Sequence, residues 1–242
     1  MNLASIKPYR QALYDFYNGD TSAKIVIHRE DGLKEYHPIS TYFLHPSNFS
    51  ELDQTAIDLC RGSVLDIGAG AGRHSLALQA LGFKVCAIDI SPEAVDIMIK
   101  RGVKDARRAD IFNFDEKPFD TLLMLMHGVG IAENLAGLDR LLNRTRRLVK
   151  PEGRILLDSF DLHRTNNPVN QAYQNFICRT GRYRGEIRFQ FEYNGEKGPW
   201  MEWLQIDPQT LASHAMKARF CCKIVYKEKK GDYLAQLLPS AQ

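Results

Sequence analysis

Long hydrophobic runs are missing from this chain of 242 residues. The longest, Leu122–Met126, falls far short of the roughly 20 residues that span a bilayer. The opening MNLASIKPYRQALYDFY holds no continuous apolar segment and carries charges early, so no secretory signal is read there. Paired cysteine motifs are missing too. Cys60, Cys86, Cys178, Cys221 and Cys222 make neither CxxC nor a Cys/His zinc spacing, and such an odd set reads as reduced thiols of a cytoplasmic protein. Charge of one sign is scarce. The formal excess of +3 is spread thinly, which argues against a dedicated nucleic-acid binder. No repeat or low-complexity segment is visible. What remains, 44% hydrophobic and 25% charged residues, is an ordinary globular composition. The length allows one large domain, or one with a small appendage, and a core that needs no disulfide or metal staple.

Two textures divide the chain. In the first sixty residues, 6–17 reads as a helix, and 24–29 with 33–37 read as a hairpin about Asp31-Gly32. YHPISTYFLHPSNFS, broken by Pro38 and Pro46, reads as irregular, and 51–61 as a helix stopped by Gly62. From Ser63 short apolar runs alternate with amphipathic segments, the pattern of a parallel α/β sheet. Strands are expected at 64–67, 84–90, just before Asp110, at 119–126 and at 154–159, with helices from 74, from Pro92 and over 135–149. Later, 186–193 and 200–206 read as strands, 208–217 as a helix, and 221–227 with 233–238 as a hairpin-like pair. The expected fold is a doubly wound, mostly parallel seven-stranded α/β sheet with antiparallel C-terminal strands. Residues 1–60 form an N-terminal helical and hairpin extension, read as a substrate lid, before a cofactor domain at 61–242.

Chemistry concentrates in VLDIGAGAGRHSLALQALGFKVCAIDIS. A strand enters a glycine turn, the turn opens a helix, and a second strand ends in Asp89. Glycines permit unusual dihedrals and close ligand approach. A carboxylate at the second strand's end can accept both hydroxyls of a ribose. The dinucleotide pattern G-x-G-x-x-G/A fails, because Arg73 or Ser75 stands where the last small residue should be, and no P-loop is present. Asp66, just before the turn, would repel a pyrophosphate and attract an ammonium. A ligand with an amino-acid end, a sulfonium and an adenosyl ribose satisfies both Asp66 and Asp89, so electrostatics favours S-adenosylmethionine over NAD.

This segment resembles motif I and the acidic strand-two motif of class I S-adenosylmethionine-dependent methyltransferases. The resemblance continues through ADIFNF, FDTLLMLMHGVGI and RTRRLVKPEGRILLDS, about residues 63–161. It implies that Gly68, Ala69, Gly70 and Gly72, with Asp66, hold the methionine end, and that Asp89 holds the ribose with Ile90 beside the adenine. Asp110 would contact the adenine amino group, Ile111 the ring, and Met126 and His127 the region where sulfur meets acceptor. Blander readings stand beside these: a tight turn for the glycines, a helix cap for Asp110, a backbone-bonded histidine for His127.

For the acceptor, His127 is the candidate base, since it follows the fourth strand at the ligand-binding edge. The Asn/Asp-Pro-Pro-aromatic motif of nucleic-acid amino-methylating members is absent, where MHGVG stands, and no cysteine nucleophile is there. Asp158 and Asp161 are available carboxylates, but no metal is assigned. Tyr36, His37, Tyr42, Phe43 and His45 combine rings with polar tips, as a small-molecule pocket requires. Covering one sheet end or a dimer contact would use them equally well. Trp200 and Trp203 should face opposite sides, and the basic RTGRYRGEIR and KEKK read as solvated. The expected function is methyl transfer from S-adenosylmethionine to a small molecule, with no membrane or nucleic-acid partner and the oligomeric state open. Other readings are an RNA or protein methyltransferase using Arg179–Arg188, a non-catalytic cofactor-binding module, and an NAD-linked oxidoreductase.

Overall fold

A computed structural model describes residues 2–240. The elements follow in chain order: α1 Lys7–Tyr17, β1 Lys24–Arg29, β2 Lys34–Pro38, α2 Glu51–Leu59, β3 Ser63–Ile67, α3 Arg73–Ala80, β4 Lys84–Asp89, α4 Pro92–Arg101, β5 Ala106–Arg108 and β6 Phe119–Met124. There follow α5 Leu135–Leu148, β7 Val149–Phe160, α6 Pro168–Arg179, β8 Glu186–Tyr193, β9 Glu196–Lys197, β10 Met201–Leu204, α7 Pro208–Lys217, β11 Phe220–Lys227 and β12 Asp232–Pro239.

The main sheet has seven strands in the order β11-β12-β7-β6-β3-β4-β5. Strands β7 to β5 along that order are mutually parallel, while β12 runs antiparallel to β7 and β11 to β12. Strand alternation loads both faces with apolar residues, as a sheet covered on two sides demands. Leu65, Ile67, Leu122 and Met124 join Leu138, Leu141 and Leu142 of α5 on one face. Val64 and Leu123 join Leu52 and Ile57 of α2 and Leu78 of α3 on the other. Local chemistry agrees with the elements. Ser91 Oγ accepts from the Ala94 amide at 3.0 Å, Pro92 occupies the first turn of α4, and Gly102 ends it at φ +97°.

A second sheet, in the order β10-β8-β1-β2 with β9 on β8, carries the hairpin and the strands 186–193 and 201–204. All its pairings are antiparallel, with His28 opposite Gln190. The first sixty residues are thus hydrogen-bonded to the last third of the chain. Helix α1 fastens this sheet to the main one. Its Leu13 packs with Ile25 and Ile39, with Ala71 after β3, and with Ile97 of α4, while Arg10 donates to Glu93 at 2.5 Å.

Two local readings need correcting. The polar stretch after Phe160 leads into helix α6, capped by Asn167 with Pro168 in the first turn and burying Tyr173 and Ile177. The Pro151-Glu152-Gly153 turn is instead a bulged start of β7, whose register against β6 shifts between Phe119 and Thr121.

Candidate active site

A cavity of about 710 Å³ opens between the two sheets, at the carboxyl ends of β3, β4 and β6, the edge where open α/β sheets bind ligands. Its size lies within the range of small-molecule sites. One half is made by the β3–α3 turn. Gly68, Gly70 and Gly72 take φ of +71°, +56° and +78°, a region costly to residues with a Cβ. The turn is stitched to β4. Gly68 and Ala69 amides both donate to the Ile88 carbonyl, at 2.9 and 3.1 Å, and the Gly70 amide donates to Asp89 Oδ2 at 2.9 Å. The Ser91 amide donates to Asp89 Oδ1 at 2.8 Å. Asp89 therefore locks the turn, and each of its oxygens retains a lone pair for a further donor.

These bonds also answer which ligand fits. Amides of Gly68, Ala69, Gly70 and Gly72 are all satisfied within the chain, so the turn offers space rather than a nest of donors for a pyrophosphate. Asp66, 2% exposed, accepts from Ser75 Oγ at 2.5 Å. Burial pushes the Asp66 and Asp89 carboxyls up, opposed by His74 and the Ser75 hydroxyl at Asp66 and by the Ser91 and Gly70 amides at Asp89. Both favour a ligand carrying donors and positive charge. Ile90, Ala109, Ile111 and Phe112 line an apolar slot beside Asp89, and Asp110 lines it too, accepting from the Phe112 amide at 3.0 Å. Such a set suits an adenosyl group joined to an amino acid.

Where β6 ends, Met126 and His127 both take φ +59°. Neither is glycine, so each holds a strained conformation. The His127 amide donates to Asp158 Oδ1 at 2.8 Å, and its Nε2 lies 2.8 Å from Asp232 Oδ1. Burial alone would lower the imidazole's pKa, but the Asp232 hydrogen bond and the charges of Asp158 and Asp232 carry it above the ordinary value. Asp158, 5% exposed, is pushed up to about 6 by burial, against the pull of His127.

The other half of the cavity comes from α1, the second sheet and α6, through Tyr9, Ile187, Phe189, Phe191, Trp203 and Tyr173. Tyr9 stacks on Phe191 at 5.7 Å and meets Tyr42 edge-on at 5.0 Å. Trp203 leans so closely on the turn after His127 that a Cβ on Gly130 would stand 1.9 Å from its indole. Asp53, Arg73 and His74 also line the cavity, and there Asp53 accepts from Arg73 at 2.6 Å and meets His74 at 2.9 Å. Burial would raise the Asp53 carboxyl, yet the His74 hydrogen bond with the His74 and Arg73 charges holds it well below the carboxylate range.

Asp66, Gly68, Ala69, Gly70, Asp89, Ile90, Asp110, Ile111, Met126, His127, His37 and Tyr42 all line this one cavity. Four expected residues do not. Gly72 is a packing position, where a Cβ would meet Met98 at 2.9 Å and Val103 at 3.0 Å. Tyr36 is 63% exposed on β2 under Lys24. Phe43 packs on Phe16 and beneath Arg101. His45 is exposed and caps the short helical turn at Ser47. Tyr9, Asp232, Phe191 and Trp203 escaped the sequence reading, since each reaches the site through pairing with distant residues. No trio of His, Cys, Asp or Glu side chains gathers for a metal among the described residues.

A crystal structure of an S-adenosylmethionine-dependent methyltransferase from Bacteroides fragilis, in complex with S-adenosylhomocysteine, superposes with a TM-score of 0.86. It is 34% identical, and the match covers 100% of this chain and 98% of that one. The chain belongs to the S-adenosylmethionine-dependent methyltransferases. A family profile described as a methyltransferase domain matches residues 65–157, the span from the glycine turn to β7. A demethylmenaquinone methyltransferase of Clavibacter sepedonicus is 35% identical over 103 residues, 40% of each protein. A ubiquinone biosynthesis O-methyltransferase of Xanthomonas oryzae pv. oryzae is 28% identical over 127 residues, 49% of this chain and 52% of that protein. The chain thus matches about half the length, or less, of these curated relatives. Family membership sets the NAD-linked reading aside and names the cofactor whose shape the turn accommodates.

Proposed function

We propose that this methyltransferase moves a methyl group from S-adenosylmethionine to a small-molecule acceptor. The observation that carries this reading is the continuous cavity, which joins the glycine turn and Asp89 to the aromatic wall of the second sheet. Asp89 receives the ribose hydroxyls, Ile90, Asp110 and Ile111 hold the adenine, and Asp66 with the 68–70 turn faces the amino-acid end. Met126 and His127 stand where the two halves meet. When bound, the cofactor supplies an electrophilic methyl on a sulfonium. The chain's share is then to align the acceptor and keep water out, which the rings of Tyr9, Phe189, Phe191 and Trp203 are suited to do.

Two further observations support a small acceptor. The demethylmenaquinone and ubiquinone relatives are named for small molecules. The basic stretch 179–188 is partly spent inside the chain, where Arg182 pairs with Glu30 at 2.7 Å and Arg188 approaches it at 4.0 Å. We place the enzyme in the cytoplasm, since all five cysteines are free and no described helix is long and apolar enough to cross a membrane. Calorimetry with S-adenosylhomocysteine and with NAD, followed by mass spectrometry of a panel of phenols, quinols and amines, tests the reading. Binding of the homocysteine product alone and methylation within the panel are expected. Tighter binding of NAD would overturn it. So would methylation confined to RNA or protein.

A further inference from the structure

His127 is held at two points by carboxylates from two different strands. Its backbone amide is fixed by Asp158 of β7, and its ring by Asp232, the first residue of β12. Residues 127 and 232 are brought together by the pairing of β12 with β7, where Asp232 stands opposite Phe160. The side chains of His127 and Asp232 are each about one-third exposed, at 34% and 30%, and both line the cavity. The charged groups facing this imidazole are Asp158 from β7 and Asp232 from β12; Glu228, before β12, lines the same cavity.

We propose that Asp232 is the positioning residue that makes His127 a base through its Nδ1 atom, and that the acceptor is accordingly an O–H or N–H nucleophile. The inference rests on the methyltransferase reading above. A carboxylate accepts only, so in the neutral ring Nε2 must carry the proton that Asp232 receives. The lone pair is thereby assigned to Nδ1, which has no hydrogen-bond partner among the described residues. As the acceptor's oxygen or nitrogen bonds to the methyl carbon, the carbon–sulfur electron pair stays with sulfur, and the acceptor's proton passes to His127 Nδ1. The negative Asp232 then stabilises the imidazolium that results. The Asp158 contact to the His127 amide helps hold the positive-φ backbone from which this ring projects.

The tautomer half of the proposal is tested without an acceptor. Histidine-labelled protein is studied by long-range proton–nitrogen NMR, with the His127 signals assigned through His127→Gln. In the neutral form the wild type should show a protonated Nε2 and a bare Nδ1. Asp232→Asn, which removes the carboxylate charge, should shift the titration midpoint downward, and Asp232→Glu should restore the wild-type midpoint. Homocysteine-product binding by each variant certifies the fold. A wild-type ring protonated on Nδ1, or a titration midpoint indifferent to Asp232→Asn, overturns the assignment, and the first of these requires no variant to fold. Methylation only at carbon across the acceptor panel would overturn the acceptor class while leaving the tautomer result standing. Failure of the wild type to bind S-adenosylhomocysteine would instead strike the methyltransferase reading itself.

Discussion

Asp89 holds the glycine turn together and, on the function proposed above, also receives the ligand's ribose. Its two oxygens already take the Gly70 and Ser91 amides, and its spare lone pairs face the cavity. Asp89→Ala should weaken S-adenosylhomocysteine binding by roughly 1.5–3 kcal/mol, the range for a lost charged hydrogen-bond partner. Calorimetry on protein with a native circular dichroism spectrum reads this, and unchanged affinity would remove Asp89 from the site. Asp158 makes a different prediction. Its folded pKa of about 6 lies above that of an unfolded aspartate. It therefore favours folding most below the unfolded pKa, and that contribution is lost as pH rises through about 6. Asp158→Asn keeps an oxygen for the His127 amide but does not titrate. Its stability relative to wild type should rise between pH 4 and pH 7 in urea titrations. A pH-independent difference would show that Asp158 ionises normally.

At the scale of elements, the β3–α3 turn uses its glycines for different ends. At Gly68 nothing lies within 4 Å of an added Cβ, whereas at Gly72 Met98 and Val103 are in the way. Gly68→Ala should cost about 1–2 kcal/mol through backbone strain alone. Gly72→Ala adds overpacking, and should cost about 2–4 kcal/mol in total. Chemical denaturation of the pair checks the order, and equal losses would refute the packing role of Gly72. The sequence showed the turn, because Gly, strand and acidic partner sit within one short stretch. It showed α4 and α5 through Ser91-Pro92 and the leucine spacing. It hid α6, although Asn167-Pro168 and the i, i+4 pair Tyr173 and Ile177 were there to be read, because the polar residues between them masked the stripe.

For the molecule as a whole, periodicity reveals that a segment is a strand but not its partner. The hairpin 24–38 was legible from Asp31-Gly32, yet its pairing with β8 was not, nor was the meeting of His127 with Asp232. The sequence's division at residue 60 therefore cuts through a sheet. Both tryptophans, Trp200 and Trp203, report on the second sheet at or beside β10, while far-UV circular dichroism reports on the whole chain. The shared clusters around Leu13 and Ile6 should make the two sheets unfold together. Fluorescence and circular dichroism transitions in urea are expected to coincide. A separate early fluorescence transition would show that the second sheet melts independently.

The pairing of His28 with Gln190 also sets a timetable for synthesis. At roughly 5–20 residues per second, a ribosome needs about 10–30 seconds to deliver β8 after β1 has emerged. Throughout that interval Ile25 and Ile27 lack the strand that will pair with theirs, on a hairpin whose other strand, β2, is exposed along its length. The aromatic wall of the second sheet is thus completed late, and until then the nascent chain carries a bare strand edge, the kind of edge open to pairing with other chains.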